Sequence, residues 1–125
     1  MSPTEGPRNV LVVEDEWLIA VDFKMMIEEQ GYQVIGPARS VAMAMDLIKE
    51  NQIDAAFLDI TLGTEKSFPI AEKLDGLEVP VTFVSAYGKS EIPERFQSFD
   101  LLPKPVALVF LIRQLARMLD ESDKP

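Results

Sequence analysis

We predict an α/β fold built on a parallel sheet that is buried on both faces. Strand-like and helix-like segments alternate along the whole sequence, which is typical of repeated strand–helix units. The length of 125 residues fits one compact domain, and a hydrophobic content of 47% with 26% charged residues is enough to bury a core. We therefore expect a single domain over residues 1–125, with a core from 9 to 119 and tails at 1–8 and 120–125.

The first two strand–helix units are predicted in the amino-terminal half. Residues 10–13 form the first strand, and a helix follows over residues 17–30. A second strand over 33–35 ends at a break at residues 36–37, and Ser40 is expected to cap the next helix. The apolar faces of these helices are predicted to consist of Ile19, Phe23, Met26 and Ile27 in the first and Val41, Met45 and Ile48 in the second.

The third unit has the same organisation as the first. Residues 55–58 read as the central strand, which ends on an acid, Asp59. A loop through Gly63 leads to a short helix over residues 68–74, because Pro69 is tolerated only in the first turn of a helix.

The carboxyl-terminal part predicts two more strands. Residues 81–84 form the fourth strand, which ends on Ser85. The segment 89–100 is interrupted by a proline, so we expect its helix, the fourth, to be short or irregular. The fifth strand covers residues 101–102, and the last helix covers 106–119. The apolar face of this last helix is predicted to consist of Leu108, Ile112, Leu115 and Leu119.

The composition excludes several classes of site and partner. The chain has no cysteine and no histidine, so a metal would have to be held by oxygen. The net charge of -9 disfavours binding to nucleic acid and to anionic membranes. The first residues carry no signal-peptide pattern, and no apolar run reaches the roughly 20 residues that cross a bilayer. We expect a cytoplasmic protein that contacts neither nucleic acid nor membrane.

Polar side chains follow four of the predicted strands. These are Glu14 and Asp15, Asp59, Ser85 and Lys104. The carboxyl ends of parallel strands meet at one edge of the sheet, so these side chains are expected to converge there. A divalent cation would offset the repulsion between the three carboxylates, and Mg²⁺ suits the site because it prefers oxygen ligands. Asp59 stands apart and suits a carboxylate nucleophile, with Lys104 and Ser85 placed to contact a phosphoryl group.

Each of these residues also has a simpler local interpretation. The acids at 14–16 could favour the dipole of the following helix, and Glu16 is expected to do only that. Lys104 alone would be read as a surface lysine, and Ser85 as a strand-end hydroxyl bonded to the backbone. Tyr87 fits packing and function equally well. The six methionines are expected to fill the core.

Four motifs together resemble the response-regulator receiver domains of bacterial two-component signalling, over about residues 9–119. They are LVVEDE, AAFLDI with Leu62 and Gly63 after it, FVSA, and LLPKP. The resemblance implies a doubly wound, flavodoxin-like fold with three α/β/α layers and the strand order 2-1-3-4-5. It also implies that Asp59 is the phosphoacceptor.

The resemblance further implies the roles of the neighbouring residues. Magnesium would be bound directly by Asp15, Asp59 and the Thr61 carbonyl, with Glu14 acting through water. Ser85, Ala86 and Lys104 would contact the phosphoryl group, and the Lys104-Pro105 bond would be cis.

The sequence departs from the usual receiver pattern at one position. Most receivers have an aromatic residue three positions before the fifth-strand lysine, and Leu101 stands there. Ser85, Ala86, Tyr87 and Gly88 instead resemble an alphaproteobacterial, commonly single-domain subgroup whose fourth strand reads roughly Phe-Ala-Thr-Gly-Tyr. Tyr87 is a candidate to replace the missing aromatic or to shield the phosphoryl group.

The resemblance implies a phosphorelay function. The donor would be a sensor histidine kinase or a histidine phosphotransfer protein. The domain would then signal by protein contact, as a monomer or a phosphorylation-dependent dimer, and would act on no separate substrate. Two alternatives are a phosphohydrolase of the haloacid dehalogenase type, which usually needs a second acid where Thr61 stands, and an interaction module that is not phosphorylated. The chain is compatible with a complete protein and with a piece of a longer regulator.

Overall fold

The structure, a computed structural model, describes residues 6–120 and the side chains of residues 6–119. Most of the two predicted tails, residues 1–5 and 121–125, lies outside the described residues. Within the described part, no helix is both long enough and apolar enough to span a bilayer.

Five parallel strands form the central sheet. They are β1 (Asn9–Val13), β2 (Gln33–Ala38), β3 (Ala55–Asp59), β6 (Val81–Ser85) and β7 (Asp100–Pro103), and their order is β2-β1-β3-β6-β7. Two further short strands, β4 (Thr61–Leu62) and β5 (Glu65–Lys66), pair in an antiparallel hairpin outside this sheet. The predicted α/β fold and its strand order are confirmed.

Helices cover both faces of the sheet and complete the three layers. One face packs against α1 (Trp17–Glu29) and α4 (Leu108–Leu115), which continues to Asp120 as a wider π-helical turn. The other face packs against α2 (Val41–Glu50) and α3 (Phe68–Gly76). The residues of the three central strands, β1, β3 and β6, are almost completely buried, and each large aliphatic side chain there contributes about 1.5–3 kcal/mol to folding.

Strand β2 runs three residues further than predicted. Gly36 and Pro37 do not end the strand, because they form a β-bulge within it. Leu11 pairs with Ile35 before the bulge, and Val13 pairs with Ala38 after it. One extra residue of β2 therefore lies opposite Val12. Gly36 adopts φ +105°, which a side chain rarely allows, and the Gly36-Pro37 bond is cis. The predicted break was wrong because pairing with β1 resumes beyond the bulge.

The predicted face of the last helix was correct for Leu115 and Leu119 and wrong for the other two residues. The helix begins at Leu108 and buries Leu111, Leu115 and Leu119, whereas Leu108 and Ile112 are exposed. The sequence offers little contrast here, because residues 106–112 are all apolar. In α1 the buried residues are Ala20, Phe23 and Ile27, whereas Ile19, which was predicted for the apolar face, is exposed.

Two segments near the carboxyl edge are irregular. The predicted loop after β3 contains the β4–β5 hairpin, which turns at Gly63 with φ +63°. The segment after β6 forms two 3-10 turns, Gly88–Glu91 and Glu94–Phe96, which agrees with the short or irregular helix predicted there.

Ser40 caps α2 as predicted, since its hydroxyl accepts a hydrogen bond from the Met43 N–H at 3.1 Å.

Replacing Glu78 by glycine is expected to stabilise the fold by about 1 kcal/mol. Glu78 is an exposed residue with φ 63°, a left-handed conformation that costs a residue with a Cβ roughly 1 kcal/mol or more. Chemical denaturation of the wild type and the variant measures the difference. The Glu72→Gly variant, in the helical backbone of α3, is the control and should lose stability. An equal loss at both positions would contradict the prediction.

Candidate functional site

The carboxyl ends of the sheet strands bring the predicted site residues to one edge. Glu14 and Asp15 directly follow β1, Asp59 is the last residue of β3, and Ser85 is the last residue of β6. Lys104 follows β7, and its N–H donates to the Ser85 carbonyl at 3.0 Å, which extends the pairing of β6 and β7 by one bond. The Lys104-Pro105 bond is cis, as the family resemblance implied.

Lys104 lies between two carboxylates. Its Nζ is 3.0 Å from Glu14 Oε1 and 3.2 Å from Asp59 Oδ2. Glu14 is only 5% exposed, and its second oxygen, Oε2, accepts the Glu16 N–H at 3.0 Å. A buried ion pair of this kind is costly to disrupt, because removing one partner leaves a charge uncompensated. The lysine is therefore held directly beside Asp59.

Asp15 is the third carboxylate close to Asp59. Its Oδ2 accepts the N–H of Gly63, in the turn of the β4–β5 hairpin, at 2.9 Å. Within the described part of the chain, carboxylate oxygens of Glu14, Asp15 and Asp59 all lie within 4.8 Å of one another. Such a cluster of oxygen donors, with no nitrogen or sulfur ligand, matches the preference of Mg²⁺. The donor set fits this ion.

A cavity of about 400 Å³ opens over Asp59. Its walls include most of the predicted site: Asp15, Asp59, Thr61, Ser85, Ala86, Tyr87 and Lys104. The Ser85 hydroxyl accepts the Tyr87 N–H at 2.9 Å, and the Tyr87 side chain is 74% exposed. Leu101 of β7 is not among the residues of this cavity. Its side chain packs instead against the core on the face of the sheet that α2 and α3 cover.

A second cavity, of about 390 Å³, lies on the α1 side of the same residues. It shares Asp59, Ala86 and Lys104 with the first cavity and also contacts Glu14. Its other walls are mainly apolar and come from α1, from the middle of the sheet and from the segment before α4. The buried ion pair of Lys104 thus separates a polar cavity from an apolar one.

The pKa of Asp59 is raised to about 7 from an ordinary value of 3.8. Burial is the main cause, and the negative charge of Glu14 adds to it, while Lys104 acts in the opposite direction. The pKa of Lys104 is also raised: burial opposes its charge, but its contacts with Glu14 and Asp59 outweigh that effect. A cation bound among the three carboxylates would favour the ionised form of Asp59.

Without a divalent cation, stability is expected to fall as the pH rises from about 4 to about 7. The folded state holds the Asp59 proton more tightly than the unfolded state, so this contribution is complete below the unfolded pKa of 3.8 and is lost as the pH passes about 7. The loss attributable to Asp59, which is partly solvated, is about 2 kcal/mol.

Denaturation in the presence of a chelator at pH 4.5 and pH 8 measures this loss as the difference between the wild type and Asp59→Asn. The asparagine variant cannot ionise and should lose about 2 kcal/mol less over this range. Asp75→Asn, at an exposed position of α3, is the matched control and should follow the wild type. Parallel pH profiles for all three proteins would contradict the assignment.

Three residues of the site region were missed by the sequence analysis. Lys66 of β5 donates to the Thr61 hydroxyl at 2.8 Å, and Glu91 lines the cavity over Asp59. Asp22 of α1 lies at the second cavity. None of them directly follows a strand of the main sheet, and that was the signal by which the other residues were found.

Comparison with known proteins identifies the family. The family model described as "Response regulator receiver domain" matches residues 10–116. The chain belongs to this family. Receiver domains are signalling modules of two-component systems, and the predicted recognition is confirmed. This match does not favour the alternative, an interaction module that is not phosphorylated, over the main interpretation.

The receiver domain is similar to several characterised regulators. It is 36% identical over 104 residues to the phyllosphere-induced regulator PhyR of Methylorubrum extorquens. This match covers 81% of this chain and 37% of PhyR. It is 27% identical over 110 residues to the transcriptional regulatory protein PdtaR of Mycobacterium tuberculosis, covering 85% of this chain and 54% of PdtaR. The chain thus spans about half or less of these relatives.

Solved structures give the same assignment. The solution structure of SdrG from Sphingomonas melonis Fr1 superposes with a TM-score of 0.80 at 32% identity, covering 93% of this chain and 99% of SdrG. The receiver domain of PhyR from Erythrobacter litoralis superposes with a TM-score of 0.81 at 25% identity, covering 96% and 95% of the two chains. These matches confirm the predicted alphaproteobacterial subgroup.

Proposed function

We propose that this receiver domain accepts a phosphoryl group on Asp59 from a phosphohistidine, carried by a sensor histidine kinase or a histidine phosphotransfer protein. A carboxylate oxygen of Asp59 bonds to phosphorus while the bond from phosphorus to the donor's imidazole nitrogen breaks, and the electron pair leaves with the imidazole. The observation that carries the proposal is the contact of Lys104 Nζ with Asp59 Oδ2 at the floor of a polar cavity.

Magnesium is the proposed cofactor. Asp15, Asp59 and the Thr61 carbonyl would bind it directly, and Glu14 would act through water. Bound there, the ion supplies positive charge that lowers the repulsion between carboxylates and phosphoryl oxygens. The Gly63 N–H fixes one oxygen of Asp15 and so orients that carboxylate before any ion binds.

The remaining residues of the cavity are proposed to hold the phosphoryl oxygens. Lys104 already has its ammonium beside Asp59, so it needs little rearrangement to contact a phosphoryl group there. The Ser85 hydroxyl now accepts the Tyr87 N–H, which leaves its own proton to donate. Ala86 lies in the same wall, where its backbone can contribute a further donor.

Transmission of the signal is proposed to involve Tyr87. Leu101 packs in the core and has no polar group with which to report phosphorylation. Tyr87 lies at the cavity rim, directly after the strand that carries Ser85, and is largely exposed. It would close over the phosphoryl group or contact a partner. We propose that the domain catalyses only its own phosphorylation and slow hydrolysis.

The proposed phosphodonor docks beside the site at the start of α1. Trp17 and Leu18 are 71% and 80% exposed and follow the acids of the site directly in sequence, so they offer an apolar surface next to the site for such a partner. We place this exchange in the cytoplasm.

The proposed output is a protein contact, made by a monomer or by a phosphorylation-dependent dimer. This contact would involve the segment 88–96, β7 and α4, and Val109 and Phe110 of α4 are exposed there.

Incubation with acetyl phosphate and Mg²⁺, followed by mass spectrometry, tests the proposal. The wild type should gain one phosphoryl group per chain, and a chelator should prevent the gain. A phosphohydrolase of the haloacid dehalogenase type would instead release phosphate continuously from phosphate esters. A chain that gains no phosphoryl group from acetyl phosphate or from a phosphohistidine donor would contradict the proposal.

A further inference from the structure

Lys66 contacts two residues at the cavity over Asp59. Its Nζ donates to the Thr61 hydroxyl at 2.8 Å and is 3.8 Å from Glu91 Oε1. Both of these partners line the cavity. The Lys66 side chain is exposed and Glu91 is half-buried, so the contact is a loose, partly solvated ion pair. It connects the β4–β5 hairpin to the segment that follows Tyr87.

Glu91 places a negative charge at the cavity in which a phosphoryl group on Asp59 would add further negative charge. It is the last residue of the 3-10 turn Gly88–Glu91 and lines the same cavity as Asp59 and Lys104. With Mg²⁺ bound in both states, phosphorylation replaces the single negative charge of ionised Asp59 with about two on the phosphoryl oxygens, and this added charge repels Glu91 and attracts Lys66. The two charges of one ion pair are therefore driven in opposite directions by the same event.

We infer that Lys66 and Glu91 form a charge latch: phosphorylation of Asp59 draws Lys66 toward the phosphoryl group and releases Glu91. The inference rests on the proposed function and names a further positioning residue and a switching contact for the same site. Lys66 becomes a second cation, beside Lys104, that responds to the phosphoryl group. Glu91 is its partner while Asp59 is unmodified.

Glu91 belongs to the segment 88–97, which is anchored in the core at its carboxyl-terminal end and contacts the hairpin at its amino-terminal end. Its inner end is fixed, because Ile92 and Phe96 are buried and Phe96 packs against the rings of Phe68, Phe83 and Phe99. Lys89 Nζ donates to the Gln97 carbonyl at 2.9 Å, which is a contact within the segment. The Gln97 amide also donates to the Lys89 carbonyl at 3.2 Å, so the turn keeps its bonds to Gln97. Release of Glu91 therefore removes the contact of the turn 88–91 with the hairpin, next to Tyr87, and leaves the core intact.

The test uses beryllofluoride with Mg²⁺ as the phosphoryl mimic and follows the backbone amides of residues 88–91 by NMR. In the wild type these amides should shift on binding. Lys66→Met, which keeps the aliphatic stem, should reduce the shift and weaken beryllofluoride binding about five-fold, the size of one exposed charge contact. Glu91→Gln should move the free protein's amides toward their bound positions and strengthen binding about five-fold.

Matched controls separate the latch from a general loss of charge. Lys73→Met removes an exposed lysine of α3, and Glu94→Gln removes an exposed acid of the same segment; neither residue lines the cavity. Both should behave as the wild type. If Lys66→Met and Glu91→Gln also respond as the wild type, the latch is wrong while the function stands. A wild-type chain without beryllofluoride response or phosphoryl uptake overturns the proposed function and the latch with it.

Discussion

Replacing Asp59 by asparagine is expected to abolish phosphoryl uptake from acetyl phosphate. The amide has nearly the same shape, but it lacks the anionic oxygen that attacks phosphorus, and it contributes no charge to the cation site. The carboxylate of Asp59 is 3.2 Å from Lys104, and its pKa is raised to about 7 by burial and by Glu14. Because an asparagine carries no charge to desolvate, the variant should fold as stably as the wild type at neutral pH or more so.

Intact-mass measurement after reaction with acetyl phosphate and Mg²⁺ gives the result directly. Asp75→Asn, which removes an exposed carboxylate of α3, is the control and should gain one phosphoryl group like the wild type. Circular dichroism should show both variants folded. Uptake at the wild-type rate by Asp59→Asn would place the acceptor on another residue and would refute the proposed role of Asp59.

Replacing Gly36 by alanine is expected to destabilise the fold by about 3 kcal/mol. An added Cβ would lie 2.8 Å from the backbone nitrogen of Ala38 and 2.8 Å from the backbone oxygen of Val12. Both are main-chain atoms in the paired strands β1 and β2, so they cannot move aside as a flexible side chain would. The φ of +105° adds strain for any residue with a Cβ.

Urea or guanidinium denaturation of the full chain measures the loss. Gly76→Ala is the matched control, because nothing lies within 4 Å of the added Cβ at the end of α3. That variant should change stability by less than about 1 kcal/mol. Equal effects of the two substitutions would show that the bulge in β2 tolerates a side chain.

The location of the site was predictable because parallel strands impose it. Once Asp59, Ser85 and Lys104 were recognised as residues at or just after strand ends, the geometry of a parallel sheet required them to share an edge. The pairing partner of Lys104 was not predictable in the same way. Its contact with Glu14 at 3.0 Å depends on side-chain conformations and on the burial of Glu14, which a linear pattern does not encode.

The errors in the fold prediction have physical causes. Gly36 and Pro37 are strong local signals for a turn, but the hydrogen bonding of β2 with β1 on both sides of the bulge outweighs them. In α4 the run of apolar residues at 106–112 hides the helical period, so only packing decides that Leu111 is buried and Leu108 is exposed. The hairpin that carries Lys66 was missed because its strands have two residues each.

The order of the strands places β2 and β7 at the two margins of the sheet. Each margin contains a proline, Pro37 in the bulge of β2 and Pro103 at the end of β7. Proline offers no N–H, and a bulge bends the strand, so neither margin presents the straight row of free donors that templates amyloid-like stacking of one chain on the next. The two margins are therefore poor templates for pairing with a second chain, which leaves the helical surfaces for contacts with other proteins.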